Sequence, residues 1–169
     1  MTPANPIVSD TGELSWYTSP GKTGLVTVDT ERTQALIGFV KANGKQGRLL
    51  AADIGNTFAS LVLTSLDSRP LARAEKMLLV TGARVANSGM KWNANGTAAS
   101  QGGPPSLVEP VTGTITLRSL QGATAVAATA LDGAGLPLGS AIQAKKTAAG
   151  WALPVGDPVT TWYVITVKH

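Results

Sequence analysis

The sequence predicts an all-β protein: a single antiparallel β-sandwich domain, immunoglobulin-like or jelly-roll-like, over residues 7–169, with residues 1–6 as a linker end. Three observations predict it. The 169-residue chain is 43% hydrophobic and 14% charged, enough apolar material for one core and too few charges for a disordered chain. Its 20 Thr and 14 Val suit strands, and its 19 Gly and 10 Pro suit turns. Alternating segments are separated by turn signals about every 8–12 residues, the rhythm of a sandwich or barrel.

Residues 1–6 are polar and carry Pro3 and Pro6. Residues 7–18 alternate loosely and end at the turn signal Ser19-Pro20-Gly21. GLVTVDT (24–30) alternates cleanly, with Leu25 on one face and Val26 and Val28 on the other, either of which could be the buried one. TQALIGFV (33–40) is apolar enough for burial on both faces. Asn43-Gly44 reads as a hairpin turn, and 48–54 and 57–66 as strands parted by Gly55-Asn56. Asp67-Ser68-Arg69-Pro70 is a tight turn, 71–81 fits a strand better than a helix, and 82–87 is one more strand.

NSGMKWNANGTAASQGGPPS (87–106) holds four Gly, three Asn and two Pro and is expected to be irregular. VTGTITL (111–117) sets Val111, Gly113, Ile115 and Leu117 against three Thr, a half-buried strand. Strands over 123–131, 138–145, 150–155 and 160–167 complete the set, with Asp132-Gly133-Ala134-Gly135 as a turn.

The chemistry of the chain excludes much. Without Cys there is no disulfide, thiolate zinc site or cysteine nucleophile. The one His is His169, at the end of the chain, where residues usually fray, so imidazole-based catalysis or metal binding has no secure foothold. The net charge of +4 is scattered, with Lys145-Lys146 the one adjacent basic pair, which speaks against nucleic acid as a partner. No apolar run reaches the roughly 18 residues of a membrane span. MTPANPIVSD lacks the regions of a signal peptide, so an export signal, if the protein has one, is expected outside this chain.

Motif matches fail on their context. Gly21-Lys22-Thr23 imitates a phosphate loop, but Trp16 stands where the first glycine belongs and a strand follows. Gly133, Gly135 and Gly139 miss the dinucleotide spacing by one, and Pro137 interrupts them. Asp132 lacks the partners of a calcium loop, which leaves a structural calcium only to residues from separate loops, and no other cofactor is expected. Asp29 and Glu31 could share a strand face as a glycosidase pair, although local hydrogen bonding is the plainer role for Asp29. Asn95-Gly96-Thr97 is a glycosylation sequon and marks an exposed loop.

The aromatic residues carry more. Trp16-Tyr17 and Trp162-Tyr163 are adjacent pairs, so on a strand one member of each faces the core and the other faces out. A sugar ring stacks its C–H face on an exposed indole while amides and cations bond its hydroxyls. Trp92 lies beside Lys91, Asn93, Asn95 and Gln101 in the Gly/Asn-rich stretch and fits a sugar subsite. Each indole also has a structural reading. Trp162 suits the core, Trp151 the cover of a sandwich end, and Trp16 or Tyr17 the interior. Trp92 suits an anchor for its own loop or a contact with a neighbouring domain.

Several segments together carry a family likeness: SDTGELSW (9–16), VTVDTERTQALIGF (26–39), LTSLDSRPLA (63–72), KMLLVTGARVANSGMKW (76–92), LVEPVTGTITL (107–117) and TTWYVITV (160–167). From residue 7 to 167 the chain resembles the all-β accessory domain that follows the catalytic (β/α)₈ barrel in bacterial glycoside hydrolases. The resemblance implies a carbohydrate-binding-module-like domain of a secreted or periplasmic enzyme acting on the plant cell wall. The family's catalytic carboxylates belong to the barrel, so no catalytic residue is expected here and the chain is expected not to be an enzyme. The leading expectation is attachment to cellulose, xylan or another plant glucan. Trp92, Lys91 and Asn93 are its first contacts, and Trp16, Tyr17 and Trp151 follow. The alternative is a scaffold in which Met90-Lys91-Trp92 docks on the catalytic glycoside hydrolase domain with no ligand of its own.

Overall fold

The computed structural model describes residues 5–18 and 23–169; the expected turn at 19–21 and most of the expected linker end lie outside the described residues. The elements begin with β1 (Ile7–Val8), β2 (Leu14–Tyr17), β3 (Leu25–Asp29), β4 (Thr33–Gly38), α1 (Val40–Asn43), β5 (Leu50–Ile54) and β6 (Ala59–Ser65). After a 3₁₀ turn (Leu71–Arg73) come β7 (Lys76–Gly82), β8 (Val85–Ser88), β9 (Lys91–Trp92), β10 (Ala98–Ser100) and β11 (Gly103–Val108). The last are β12 (Gly113–Leu117), β13 (Ala125–Leu131), β14 (Ile142–Gln143), β15 (Lys145–Thr147), β16 (Gly150–Val155) and β17 (Trp162–Lys168).

Two antiparallel sheets make the sandwich, as the composition predicts. The larger runs β1-β2-β3-β4-β6-β7-β17-β13-β14 and the smaller β15-β16-β12-β5; two ribbons, β8–β11 and β9–β10, stand apart. The larger sheet points Leu25, Leu36, Leu61, Leu63, Met77, Leu79, Tyr163 and Ile165 inward. The smaller sheet answers with Leu50, Ile115, Leu117, Trp151 and Leu153. Tyr163 is the bulkiest fully buried side chain, and its hydroxyl accepts from the Gly156 N–H at 2.9 Å, so the polar tip is satisfied inside an apolar layer. Burial pushes its phenol pKa up, and nearby Asp157 adds to this against the Gly156 bond.

The other face of the larger sheet is unusual. Outward faces of antiparallel sheets are ordinarily polar. Here Leu14, Val28, Ala35, Val62, Val80, Trp162 and Leu131 follow one another in register across seven strands. None of the seven belongs to the core cluster or packs against it. Ala35 is buried between its valine neighbours on this outer face, which makes β4 apolar on both sides, as its sequence predicts. The adjoining row, Trp16–Val26–Ile37, continues the same surface. In β3, therefore, Leu25 takes the core and Val26 and Val28 take the outside.

Several expectations are corrected. The loosely alternating residues 7–18 form two strands joined by a turn in which the Gly12 N–H meets the Ser9 carbonyl. Asn5 is part of the fold: its amide donates to the Thr18 carbonyl and accepts from the Thr18 N–H. Asn43-Gly44 closes the helical turn α1, with Gly44 left-handed at φ 60. The expected strand 71–81 begins only at Lys76, because buried Leu71 and Ala74 hold the preceding turn against the core. Residues 87–106 are not irregular throughout: the end of β8 with β9, β10 and the start of β11 takes just over half of them. Pro104 and Pro105, which lack N–H donors, sit where the β8–β11 register slips. The expected strand 138–145 breaks into β14 and β15, which join different sheets.

Two local features tie the loops down. Gly38 has φ 131, and a Cβ there would lie 2.3 Å from the Gly24 carbonyl oxygen, so only glycine allows β3 and β4 to close at this end. Asp67 gathers the N–H groups of Glu75, Arg69 and Lys76 and the Ser65 hydroxyl. Desolvation alone would raise its carboxyl; these bonds outweigh it and lower the pKa from 3.8 to about 2.

Tyr163→Phe is expected to cost about 1–2 kcal/mol in chemical denaturation, because the Gly156 N–H loses its acceptor; an unchanged midpoint would show that water substitutes fully. The Asp67 carboxyl is depressed, so its contribution is full above about pH 4 and is lost as pH falls through about 2. Asp67→Asn is therefore expected to lower the melting temperature at neutral pH and to flatten the acid limb between pH 4 and 2.

Candidate functional site

Where the larger sheet ends beside the β8–β11 ribbon, a groove of about 920 Å³ opens. Phe58, just before β6, forms its floor, and its ring meets Phe39 edge-on with centroids 5.8 Å apart. Val85, Leu107 and Val108 of the ribbon and Trp92 of the β9–β10 hairpin form the walls. Gly102 is required for that arrangement: at φ 63, a Cβ would lie 2.3 Å from the Ser88 carbonyl oxygen. Trp92 is 58% exposed, opposite Ala98 across the hairpin. The groove thus presents an indole and aliphatic walls to water without serving the core.

One ion pair lies in the same groove. Arg84 Nε donates to Glu109 Oε2 at 2.8 Å. Asn56, which is buried, donates to Glu109 Oε1 at 3.1 Å and to the Pro110 carbonyl, and accepts from the Thr112 N–H. Glu109 is thereby oriented by a fixed amide. The Arg84 bond, against some desolvation, holds its carboxyl below the usual range, and the same bond raises Arg84. A donor and an acceptor of fixed direction therefore sit beside an exposed indole.

The residues singled out from sequence do not form one cluster. Trp92 lines the groove. Lys91 is its strand neighbour, so its side chain leaves the opposite face of the hairpin. Asn93 shapes the hairpin turn: its amide donates to Thr97 Oγ1 at 3.0 Å and its N–H to the Thr97 carbonyl. Trp16 is 53% exposed on the outer sheet face, with its Nε1 beside Gly24. Tyr17 turns the other way and packs half-buried against the core, with Lys45 Nζ 5.2 Å from its ring centre. Trp151, at 9% exposure, is a core residue covered by Lys146, whose Nζ lies 5.5 Å from the ring. It pairs with Leu117, whereas the groove lies beyond Ile54 and Gly113 at the other end of the same sheet. Trp151 thus packs in the core, at the end of the sandwich away from the groove. Trp162, expected inside, is 37% exposed, and its neighbour Tyr163 takes the core.

The residues that sequence reading missed are Phe58, Val85, Leu107 and Val108, with the pair Arg84 and Glu109. Phe39 and Phe58 lie inside the expected strands 33–40 and 57–66, but only the pairing of those strands shows that their rings meet. The ion pair is 25 residues apart in sequence and left no local trace.

Other sites resolve into structure. Asp29 Oδ1 accepts from Gln34 Nε2 at 2.6 Å and from Arg48 Nε at 2.9 Å. The buried Gln34 in turn accepts from the N–H groups of Leu49 and Leu50, which commits Asp29 to bracing the start of β5. Asp132 Oδ1 caps its own turn through the N–H groups of Ala134 and Leu136. Among the described residues no three His, Asp or Glu side chains converge for a metal ion. The His169 ring is anchored 2.7 Å from the Gln121 carbonyl oxygen. Among the described residues no helix is long and apolar enough to cross a membrane.

No family model, curated protein or solved structure matches the chain.

Exposure separates the indoles energetically. Trp151→Ala is expected to cost about 3–5 kcal/mol in equilibrium unfolding, as a large core truncation does, and Trp92→Ala within about 0.5 kcal/mol. Equal losses would mean that Trp92 anchors its hairpin.

Proposed function

We propose that this chain is a non-catalytic accessory domain of a glycoside hydrolase that holds plant polysaccharide in the Trp92 groove. The observation that carries this reading is the meeting of an indole left in water with the oriented pair Arg84 and Glu109. The C–H face of a pyranose ring stacks on Trp92, and Phe58 supplies a second apolar surface across the groove. Arg84 donates to ring hydroxyls and Glu109 accepts from them. Because burial on sugar leaves a carboxylate costly unless bonded, Asn56 and Arg84 keep Glu109 partnered while one side faces the ligand. The ligand class is a neutral β-linked glucan or xylan, and the enzyme that carries the domain is exported to reach it.

A second reading draws on the aliphatic share of the groove. Val85, Leu107 and Val108 are all at least half exposed and are poor sugar platforms but good protein contacts. In that reading the groove docks on a catalytic barrel, and the domain is a scaffold.

Affinity electrophoresis through soluble xylan and mixed-linkage glucan separates the two. Retarded migration is expected, with at least about a tenfold loss of affinity in Trp92→Ala, as for loss of a central aromatic contact, and a smaller loss in Arg84→Ala. Unchanged mobility across a broad glycan panel would overturn polysaccharide binding and leave the scaffold reading.

A further inference from the structure

The outer face of the larger sheet lies outside both the core and the groove, and its chemistry differs from that of a sugar site. From β2 to β13 it carries three consecutive rows. The central row is apolar on all seven strands, and Leu78 and Val164 pair among threonines in the next. Leu14 at 46% exposure, Trp16 and Trp162 are its most open members. Seven strands at about 4.8 Å and three rows give a footprint of roughly 600 Å², in which Ser60, Gly82, Thr33, Thr64 and Thr129 interrupt the two outer rows.

We propose that this face packs against the same face of a second copy of the chain. Two patches give roughly 1,200 Å², the lower edge of a specific interface. Charge permits a self-pair. The alternation of β2, β3, β4, β6, β7, β17 and β13 turns no carboxylate to this side; Asp29, for example, shares its face with Leu25. The cations on this side are Lys76 and Lys168, both toward one end of the strands. A two-fold axis running across the strands, along the apolar row, stacks that row on itself and sends the two sets of lysines to opposite ends. The pairing is isologous, sheet on sheet, with a layer of Val, Leu and Trp like the core of a sandwich. The central row lacks the oriented donor and acceptor that Arg84 and Glu109 supply in the groove, which separates this face from the Trp92 groove.

Sedimentation velocity of the full chain from low to high micromolar concentration tests it. The expected result is a concentration-dependent shift from 17.3 kDa toward twice that mass. Val80→Lys, at the centre of the row, is expected to weaken association at least tenfold while retaining wild-type circular dichroism. Leu14→Lys, on an exposed strand near the sheet edge, supplies the same readout should Val80→Lys fail to fold. Trp92→Ala is expected to leave the dimer intact, and Val80→Lys to leave glycan retardation intact, so this inference and the polysaccharide reading fail separately. A wild-type chain that stays at 17.3 kDa throughout, or lysine variants that associate as the wild type does, would overturn the self-pair.

Discussion

The structure depends on one constraint: a strand turns successive side chains to opposite faces, and this chain has core enough for only one face of its larger sheet. Tyr163 and Trp162 show the consequence in adjacent residues. The tyrosine fills the middle of the sandwich and finds a donor for its hydroxyl in Gly156, while the indole next to it is left outside. The same step separates Leu25 from Val26, Leu36 from Ala35 and Leu79 from Val80. Registers cannot slip, since a shift of one residue would exchange a leucine-rich face for a valine-rich one across the whole sheet.

That constraint also explains the division of labour among the indoles. Trp151 belongs to the smaller sheet and closes the core from the other side, with Lys146 laid over its outer surface. Trp92 belongs to a hairpin that shares in no sheet of the sandwich and is left beside Phe58 and the Arg84–Glu109 pair. Trp16 and Trp162 end up on one apolar face by the parity of their strands.

Much of the fold was legible in the sequence. Period-two alternation located β3, β4, β6, β12, β13, β16 and β17 almost to their ends, and the apolar run of β4 foretold that both its faces carry apolar side chains. The failures have physical causes. The stretch from 87 to 106 looked irregular because Gly and Pro dominate it, yet paired ribbons tolerate them at a register slip and at tight turns such as Gly102. Residues 71–75 looked like a strand because their apolar members, Leu71 and Ala74, are buried, but by a 3₁₀ turn. The site was half legible. Trp92 stood out as an indole among polar neighbours, but Phe58 and the Arg84–Glu109 pair reach it through sheet closure. Lys91 and Asn93 were drawn in by sequence adjacency, which on a two-residue strand and its turn sends side chains elsewhere.

The central claim is that alternation leaves the indoles of Trp16, Trp92 and Trp162 in water and seals that of Trp151. Acrylamide quenching of four variants, each keeping one tryptophan with the others replaced by Phe, measures it directly. The expected result is strong quenching at positions 16 and 92, intermediate quenching at 162 and weak quenching at 151. Quenching at position 92 as weak as at 151 would contradict it.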